Sequence, residues 1–221
     1  MIDRLQYISQ TAGGASHLTV IKNALAAGCK WIQLRVKDES PDNVLAYAVE
    51  AARLCNAHQA KLIVNDHPEI ALKAGAHGVH LGLDDMPIAQ ARALVGNKMI
   101  IGGTANTFNH VKQRLSEGVD YIGLGPYRFT TTKKKLSPIL GLDGLAFIRQ
   151  QAENAGIHLP IIAIGGIEEA DVPLLVQTGI YGVAMSGAIT HAIDPSATVK
   201  HIYGHLSMNR RTGIVNQPNL L

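Results

Sequence analysis

Tyr121-Ile-Gly-Leu-Gly-Pro-Tyr-Arg-Phe-Thr-Thr-Thr-Lys-Lys-Lys135 holds a complete strand-to-loop transition in fifteen residues. A short apolar run, 121–124, breaks at Gly125-Pro126, because glycine frees φ and proline removes a ladder donor. Three hydroxyls (Thr130, Thr131, Thr132) and three ammonium groups (Lys133, Lys134, Lys135) follow. Compact donors and point charges in this order suit phosphate oxygens. A lysine run is ordinarily a solvated face. Its place directly after a buried strand, one of several that end in polar residues, makes it a candidate binding loop.

Seven further apolar runs resemble 121–124: 5–9, 31–35, 62–65, 78–81, 99–102, 161–164 and 182–185. Each leads into a helical pattern or a turn before one, and helix periodicity is clear over 44–57, 89–95, 111–117 and 145–155. Alternating strand and helix predicts a parallel sheet with right-handed crossovers. Eight units with no glycine-rich dinucleotide turn after the first strand favour a closed α/β architecture, a single (β/α)8 TIM barrel, over an open sheet. The close spacing of strands three and four requires a short third helix. The barrel is expected over residues 1–206, and residues 207–221, which lack periodicity, are expected to be poorly ordered.

Composition excludes several function classes. A chain of 221 residues fits one domain, with 47% hydrophobic and 17% charged residues in an ordinary globular balance. A net charge of +3 and 5% aromatics argue against nucleic acid as a partner. The two cysteines, Cys29 and Cys55, read as small core hydrophobes in a reducing compartment. No basic-then-apolar leader opens the sequence and no apolar run reaches the roughly 18 residues of a membrane span. The expectation is a cytoplasmic protein with no membrane partner, its oligomeric state left open, a homo-oligomer included.

A barrel carries its chemistry at the C-terminal ends of its strands. The second strand ends Gln33-Leu34-Arg35-Val36-Lys37, and period two places Gln33, Arg35 and Lys37 on one face, with Leu34 and Val36 against the helices. Cations there need an anionic partner, either protein carboxylates or a ligand phosphate. The third strand ends Asn65-Asp66, and the fourth passes through His80 to Asp84 and Asp85. Neighbouring strands lie about 4.8 Å apart, so carboxylates at both ends can share one hard cation such as Mg²⁺. Asn65-Asp66 alone could equally be a helix-capping turn, and His80 reads as a satisfied barrel-interior histidine. The fifth strand ends Gly102-Gly103-Thr104-Ala105-Asn106, the seventh Ile164-Gly165-Gly166 and the eighth Met185-Ser186-Gly187. Small turns after strands seven and eight commonly build a phosphate site from backbone N–H groups.

In order and spacing, Gln33-Leu-Arg-Val-Lys37, Asn65-Asp66, Gly78-Val-His-Leu-Gly82 with Asp85, Gly125-Pro126 with Thr130-Thr-Thr-Lys133, and Ala163-Ile-Gly-Gly-Ile167 resemble the thiamine phosphate synthase family. The resemblance covers about residues 5–205. It implies a transferase that joins a hydroxymethylpyrimidine diphosphate to a thiazole phosphate, giving thiamine phosphate and pyrophosphate. By the same resemblance Gln33, Leu34, Arg35, Val36 and Lys37 bind the pyrimidine diphosphate with Asn65, Thr104 and Lys133. Asp66 and Asp85 hold Mg²⁺, while Thr130, Thr131, Thr132, Gly166, Ser186 and Gly187 hold the thiazole phosphate. The family mechanism breaks a carbon–oxygen bond to leave a pyrimidinylmethyl cation, which the thiazole nitrogen attacks. Arg35, Lys37, Lys133 and Thr104 are then the catalytic groups, stabilising the leaving pyrophosphate. Three positions depart from the family: Leu83 where Gln is usual, Thr104 where Ser is usual, and the small-residue order around Ser186-Gly187. Thr104 keeps the hydroxyl; Leu83 cannot hydrogen-bond. Whether the thiazole substrate is carboxylated stays open.

Rival readings are a thiazole tautomerase on the same scaffold and a non-catalytic phosphate sensor. The tautomerases carry a catalytic histidine after the strand-six glycine, where this chain has Pro126. The sensor has no use for Asp66, Asp85 and Lys133 together. His201 and His205, one helical turn apart, lack an evident third ligand for a metal.

Overall fold

The computed structural model describes residues 2–11, 13–129 and 138–208. Eight parallel strands close in sequence order: β1 (Leu5–Ile8), β2 (Trp31–Leu34), β3 (Lys61–Asn65), β4 (Gly78–Leu81), β5 (Ile100–Ala105), β6 (Tyr121–Leu124), β7 (Ile161–Ile164) and β8 (Gly182–Met185). The β8–β1 ladder, Leu5 opposite Val183 and Tyr7 opposite Met185, completes the (β/α)8 barrel. The helices are α1 (His17–Ala26), α2 (Pro41–Ala57), α3 (Pro68–Lys73), α4 (Ile88–Val95), α5 (Phe108–Glu117), α6 (Gly141–Asn154), α7 (Val172–Gln177), α8 (Gly187–Thr190) and α9 (Pro195–Met208). The third helix is short, as the strand spacing requires. Several strand ends shift by a single residue, and two boundaries change what the elements contain. Strand β5 runs on to Ala105, so Thr104 lies within the ladder, opposite Gly123. Helix α9 continues through Ser207 to Met208, so the expected tail loses its first two residues to the helix. Residues 209–221 lie outside the described residues, as do Thr130, Thr131, Thr132 and Lys133.

Helix starts follow local chemistry. Ser16, Ser40 and Thr107 cap α1, α2 and α5 by accepting from the N–H groups of Thr19, Asn43 and His110. Outward strand residues such as Leu34, Val64, Leu81 and Leu124 join the helices in one large core. Inward residues Ile8, Trp31, Ile63, Tyr121, Ile162 and Ala184 form a second, smaller core inside the barrel. The interior fits because bulky rings face positions without side chains. A Cβ on Gly102 would lie 2.1 Å from Tyr121 Cζ, and one on Gly123 would lie 3.1 Å from His80 Cε1. Trp31 meets Tyr121 edge to face at 4.8 Å between ring centroids.

Two alanine substitutions should therefore act in opposite directions. Gly102→Ala overpacks the barrel and is expected to cost about 1–3 kcal/mol or more. Gly204→Ala, on the exposed side of α9 with no atom within 4 Å of the new methyl, should stabilise by about 0.5–1 kcal/mol. Urea unfolding of both variants checks the pair.

Candidate active site

The polar strand ends gather at one mouth of the barrel. On β2 the alternation holds: Leu34 and Val36 are buried in the outer core, and Gln33 is buried inside the barrel, donating to Gln6 Oε1 at 3.1 Å. Beyond the strand, Lys37 Nζ pairs with Asp66 Oδ2. Of the two anionic partners expected for these cations, a protein carboxylate or a ligand phosphate, the protein supplies a carboxylate for Lys37. Arg35 is partly buried, and burial lowers its pKa against the opposing pull of Asp66 and Asp38. Its backbone N–H donates to Ser9 Oγ at 3.0 Å, tying the end of β2 to the end of β1.

Asp66 follows β3 in a left-handed conformation, φ 67°, which aspartate tolerates better than most residues. Its carboxyl is in hydrogen-bond contact with that of Asp85, from the loop after β4. The two respond oppositely. Burial raises Asp66, but Lys37, Asp85 and His67 outweigh it and hold the group below the usual carboxylate range. Burial raises Asp85, the Gly82 N–H at 2.6 Å lowers it, and Asp66 raises it again, leaving it above that range. Two adjacent carboxyl groups with a single lysine on one of them form an all-oxygen donor set that fits a hard cation. Asp84, Leu83 and Asp85 share this loop, with Leu83 38% exposed.

On β5, Thr104 Oγ1 lies 3.0 Å from His80 Nε2. His80 is a satisfied interior histidine, its Nδ1 3.0 Å from Tyr121 Oη. Asn106 donates to the Gly125 carbonyl at 2.5 Å, joining the ends of β5 and β6. After β7, Gly165 and Gly166 take φ of 103° and 66°, a pair of turns open mainly to glycine. A Cβ on Gly165 would lie 2.8 Å from Pro126 Cα, so the β6 and β7 loops stack backbone on backbone. Tyr127 and Arg128 N–H groups donate to Ile164 and Gly165 carbonyls at 2.9 Å. Ser186 Oγ donates to Gln10 Oε1 at 3.2 Å, and Gly187 opens the four-residue helix α8. His201 is paired with Glu169 at 3.1 Å; His205 lies one turn on in α9. Among the described residues no cluster of three or more His, Cys, Asp or Glu is placed to hold a metal.

Two supports were not foreseen from the sequence. Arg114 of α5 is 3% exposed and reaches back over Gly103, donating to the carbonyls of Thr104 (3.0 Å) and Gly82 (2.8 Å) while paired with Glu117 at 2.7 Å. It binds the ends of β4 and β5 together. Arg128 forms a two-nitrogen ion pair with Asp171, at 2.7 and 2.9 Å, and also donates to the Gly166 carbonyl. Tyr127 Oη and the Glu168 N–H complete the cage around Asp171. Arginine at i, i+3 before glutamate signals only a surface helix pair, so Arg114 was invisible without its tertiary neighbours.

Arg114→Ala should cost about 3–5 kcal/mol in chemical denaturation, since two carbonyls and Glu117 lose a buried partner. Asp171 gives a pH signature. Burial raises its pKa, but Arg128, the Glu168 N–H and Tyr127 prevail and depress it. A depressed native value contributes stability that is present above the unfolded value, about 3.9, and is lost as pH falls through the native value. The stability gap between the protein and Asp171→Asn should therefore shrink as pH is lowered from 6 toward about 3.

Comparison with known proteins gives a consistent result. A family model described as thiamine monophosphate synthase matches residues 6–189. A thiamine-phosphate synthase from Bacteroides fragilis is 51% identical over 198 residues, covering 90% of this chain and 97% of its own length. One from Bacteroides thetaiotaomicron is 48% identical over 206 residues, covering 93% and 97%. Among solved structures, thiamine phosphate pyrophosphorylase from Pyrococcus furiosus superposes with a TM-score of 0.79 at 25% identity, over 93% of this chain and 96% of that one. With its closed barrel and its charged strand ends, the chain belongs to the thiamine monophosphate synthase family.

Proposed function

We propose that the protein joins 4-amino-2-methyl-5-hydroxymethylpyrimidine diphosphate to a thiazole phosphate, releasing thiamine phosphate and pyrophosphate. The observation that carries this is the meeting of Arg35 and Lys37 from the end of β2 with Asp66 and Asp85 from the ends of β3 and β4. Fixed cations and a hard-cation donor set side by side match a diphosphate leaving group better than any single phosphate. No observation favours a tautomerase or a sensor.

Asp66 and Asp85 would hold Mg²⁺, with ligand oxygens and water completing its shell. When bound there, Mg²⁺ supplies charge neutralisation to the diphosphate oxygens. Arg35, Lys37 and Lys133 stabilise the pyrophosphate electrostatically as the carbon–oxygen bond breaks. Gln33, Asn65 and Thr104 complete the pyrimidine diphosphate pocket; Leu34 and Val36, whose side chains pack in the outer core, can reach it only through their backbone. Thr130, Thr131, Thr132, Gly166, Ser186 and Gly187 take the thiazole phosphate, whose ring nitrogen then attacks the carbon left by pyrophosphate. No protein nucleophile is needed. The partners are small molecules; no nucleic acid is involved, and among the described residues no helix is long and apolar enough to cross a membrane.

Release of pyrophosphate from the pyrimidine diphosphate, with and without the thiazole phosphate, tests the reading. Release should require the enzyme and should stop with excess chelator. Asp66→Ala and Asp85→Ala should each abolish it while leaving the circular dichroism spectrum unchanged. Lys133→Ala should lower kcat by about 10²–10³, with Lys134→Ala and Lys135→Ala near the unsubstituted rate. Equal, small effects at the three lysines would return the run to a solvated face.

A further inference from the structure

Five side chains inside the barrel form one uninterrupted hydrogen-bonded chain from β2 to β5. Gln33 Nε2 donates to Gln6 Oε1 at 3.1 Å, and Gln6 Nε2 donates to Tyr121 Oη at 3.2 Å. Tyr121 Oη lies 3.0 Å from His80 Nδ1, and His80 Nε2 lies 3.0 Å from Thr104 Oγ1. All five residues are at most 8% exposed. The chain has been given room: Gly102 and Gly123 leave the space that the Tyr121 and His80 rings fill.

Proton counting gives this chain a direction. Tyr121 oxygen already accepts from Gln6, so the phenol proton has His80 Nδ1 as its acceptor. Full burial raises the Tyr121 pKa, so that proton stays on the phenol. An imidazole that accepts at Nδ1 carries its proton on Nε2 and donates it to Thr104. Thr104 Oγ1, accepting there, keeps its own proton for another group. At the opposite end, Gln33 has committed an N–H to Gln6, and its Oε1 remains an acceptor. Turning His80 to its other tautomer would leave the buried phenol proton of Tyr121 without an acceptor among these partners, which favours the direction given.

We infer that His80 and Tyr121 are positioning residues that present Thr104 as a hydrogen-bond donor and Gln33 as an acceptor toward the substrate. The inference rests on the proposed function above and adds the recognition rule for its pyrimidine pocket. The ligand that fits best offers an acceptor at the β5 end and an N–H donor at the β2 end. A 4-aminopyrimidine carrying a diphosphate offers both. A pyrimidine in which the amino group is replaced by a carbonyl loses the N–H donor from which Gln33 Oε1 would accept.

The direct test is the protonation pattern of His80, read by ¹H–¹⁵N correlation on ¹⁵N-histidine protein, its signals identified as those lost in His80→Gln. The expected result is a neutral ring protonated at Nε2 that gains the Nδ1-protonated form in Tyr121→Phe. A wild-type ring protonated at Nδ1 would overturn the inference. Kinetics provide a second readout. Gln places its amide nitrogen near the Nε2 position and Asn near Nδ1, so His80→Gln should retain the KM for the pyrimidine diphosphate within about tenfold, whereas His80→Asn and Tyr121→Phe should raise it about 10–100-fold. The KM for the thiazole phosphate should not change. Equal losses for both substrates, or equal losses in His80→Gln and His80→Asn, would make the chain merely structural and defeat the inference. An unchanged KM in Thr104→Val would instead defeat the substrate contact itself, leaving the histidine spectrum as assigned, so the two failures can be told apart.

Discussion

A sheet closed on itself has no edge strand, and everything else in this molecule follows from filling its inside. The β8–β1 ladder joins the two ends of the chain, pairing Leu5 with Val183, Gln6 with Ala184 and Tyr7 with Met185. Once closed, the interior admits few side chains. Trp31 and Tyr121 occupy one region of it, and Gly102 stands opposite the tyrosine because nothing larger fits. Above them the filling turns polar, with Gln6, Gln33, His80 and Thr104 satisfying one another. A polar layer in a barrel is tolerated only when each member has its partners. That layer passes from the apolar floor to the charged mouth.

At the mouth the fold concentrates charge that the chain keeps apart in sequence. Lys37, Asp66 and Asp85 come from three loops and meet because β2, β3 and β4 are neighbours in register. The opposite pKa directions of the two carboxyl groups record an imbalance: the lysine on Asp66 leads the contacts that outweigh its burial, while burial, added to by the neighbouring Asp66, raises Asp85. Backbone supports hold these ends in place. Arg114 ties Gly82 to Thr104, Asn106 ties β5 to β6, and Arg128 with Asp171 fastens the β6 and β7 loops. Each uses a charged or amide side chain to hold backbone near the site, so the reactive groups remain available to a ligand.

The strands and their order were legible because period two and strand length are local properties. The ends of β4, β6, β7 and β8 fall where the apolar runs stop. The boundary of β5 was not legible: the apolar run stops at Gly102, yet the strand runs on to Ala105, with Tyr121 and Arg114 packed where side chains on Gly102 and Gly103 would be. The likeness of short motifs such as Gln33 to Lys37 and Asn65-Asp66 to a known family was likewise present in the sequence.

What the sequence by itself determined is the alternation of strand and helix, the polar character of each strand end and the family to which those ends belong. These depend on residue type and short-range spacing, which survive in one dimension. Tertiary structure alone decided which groups touch: that Lys37 takes Asp66 as its partner, that Asp85 shares Asp66, and that His80 joins Tyr121 to Thr104. These contacts depend on the register of neighbouring strands and on the volume inside the closed barrel. Both are properties of the assembled sheet, and no local pattern encodes them.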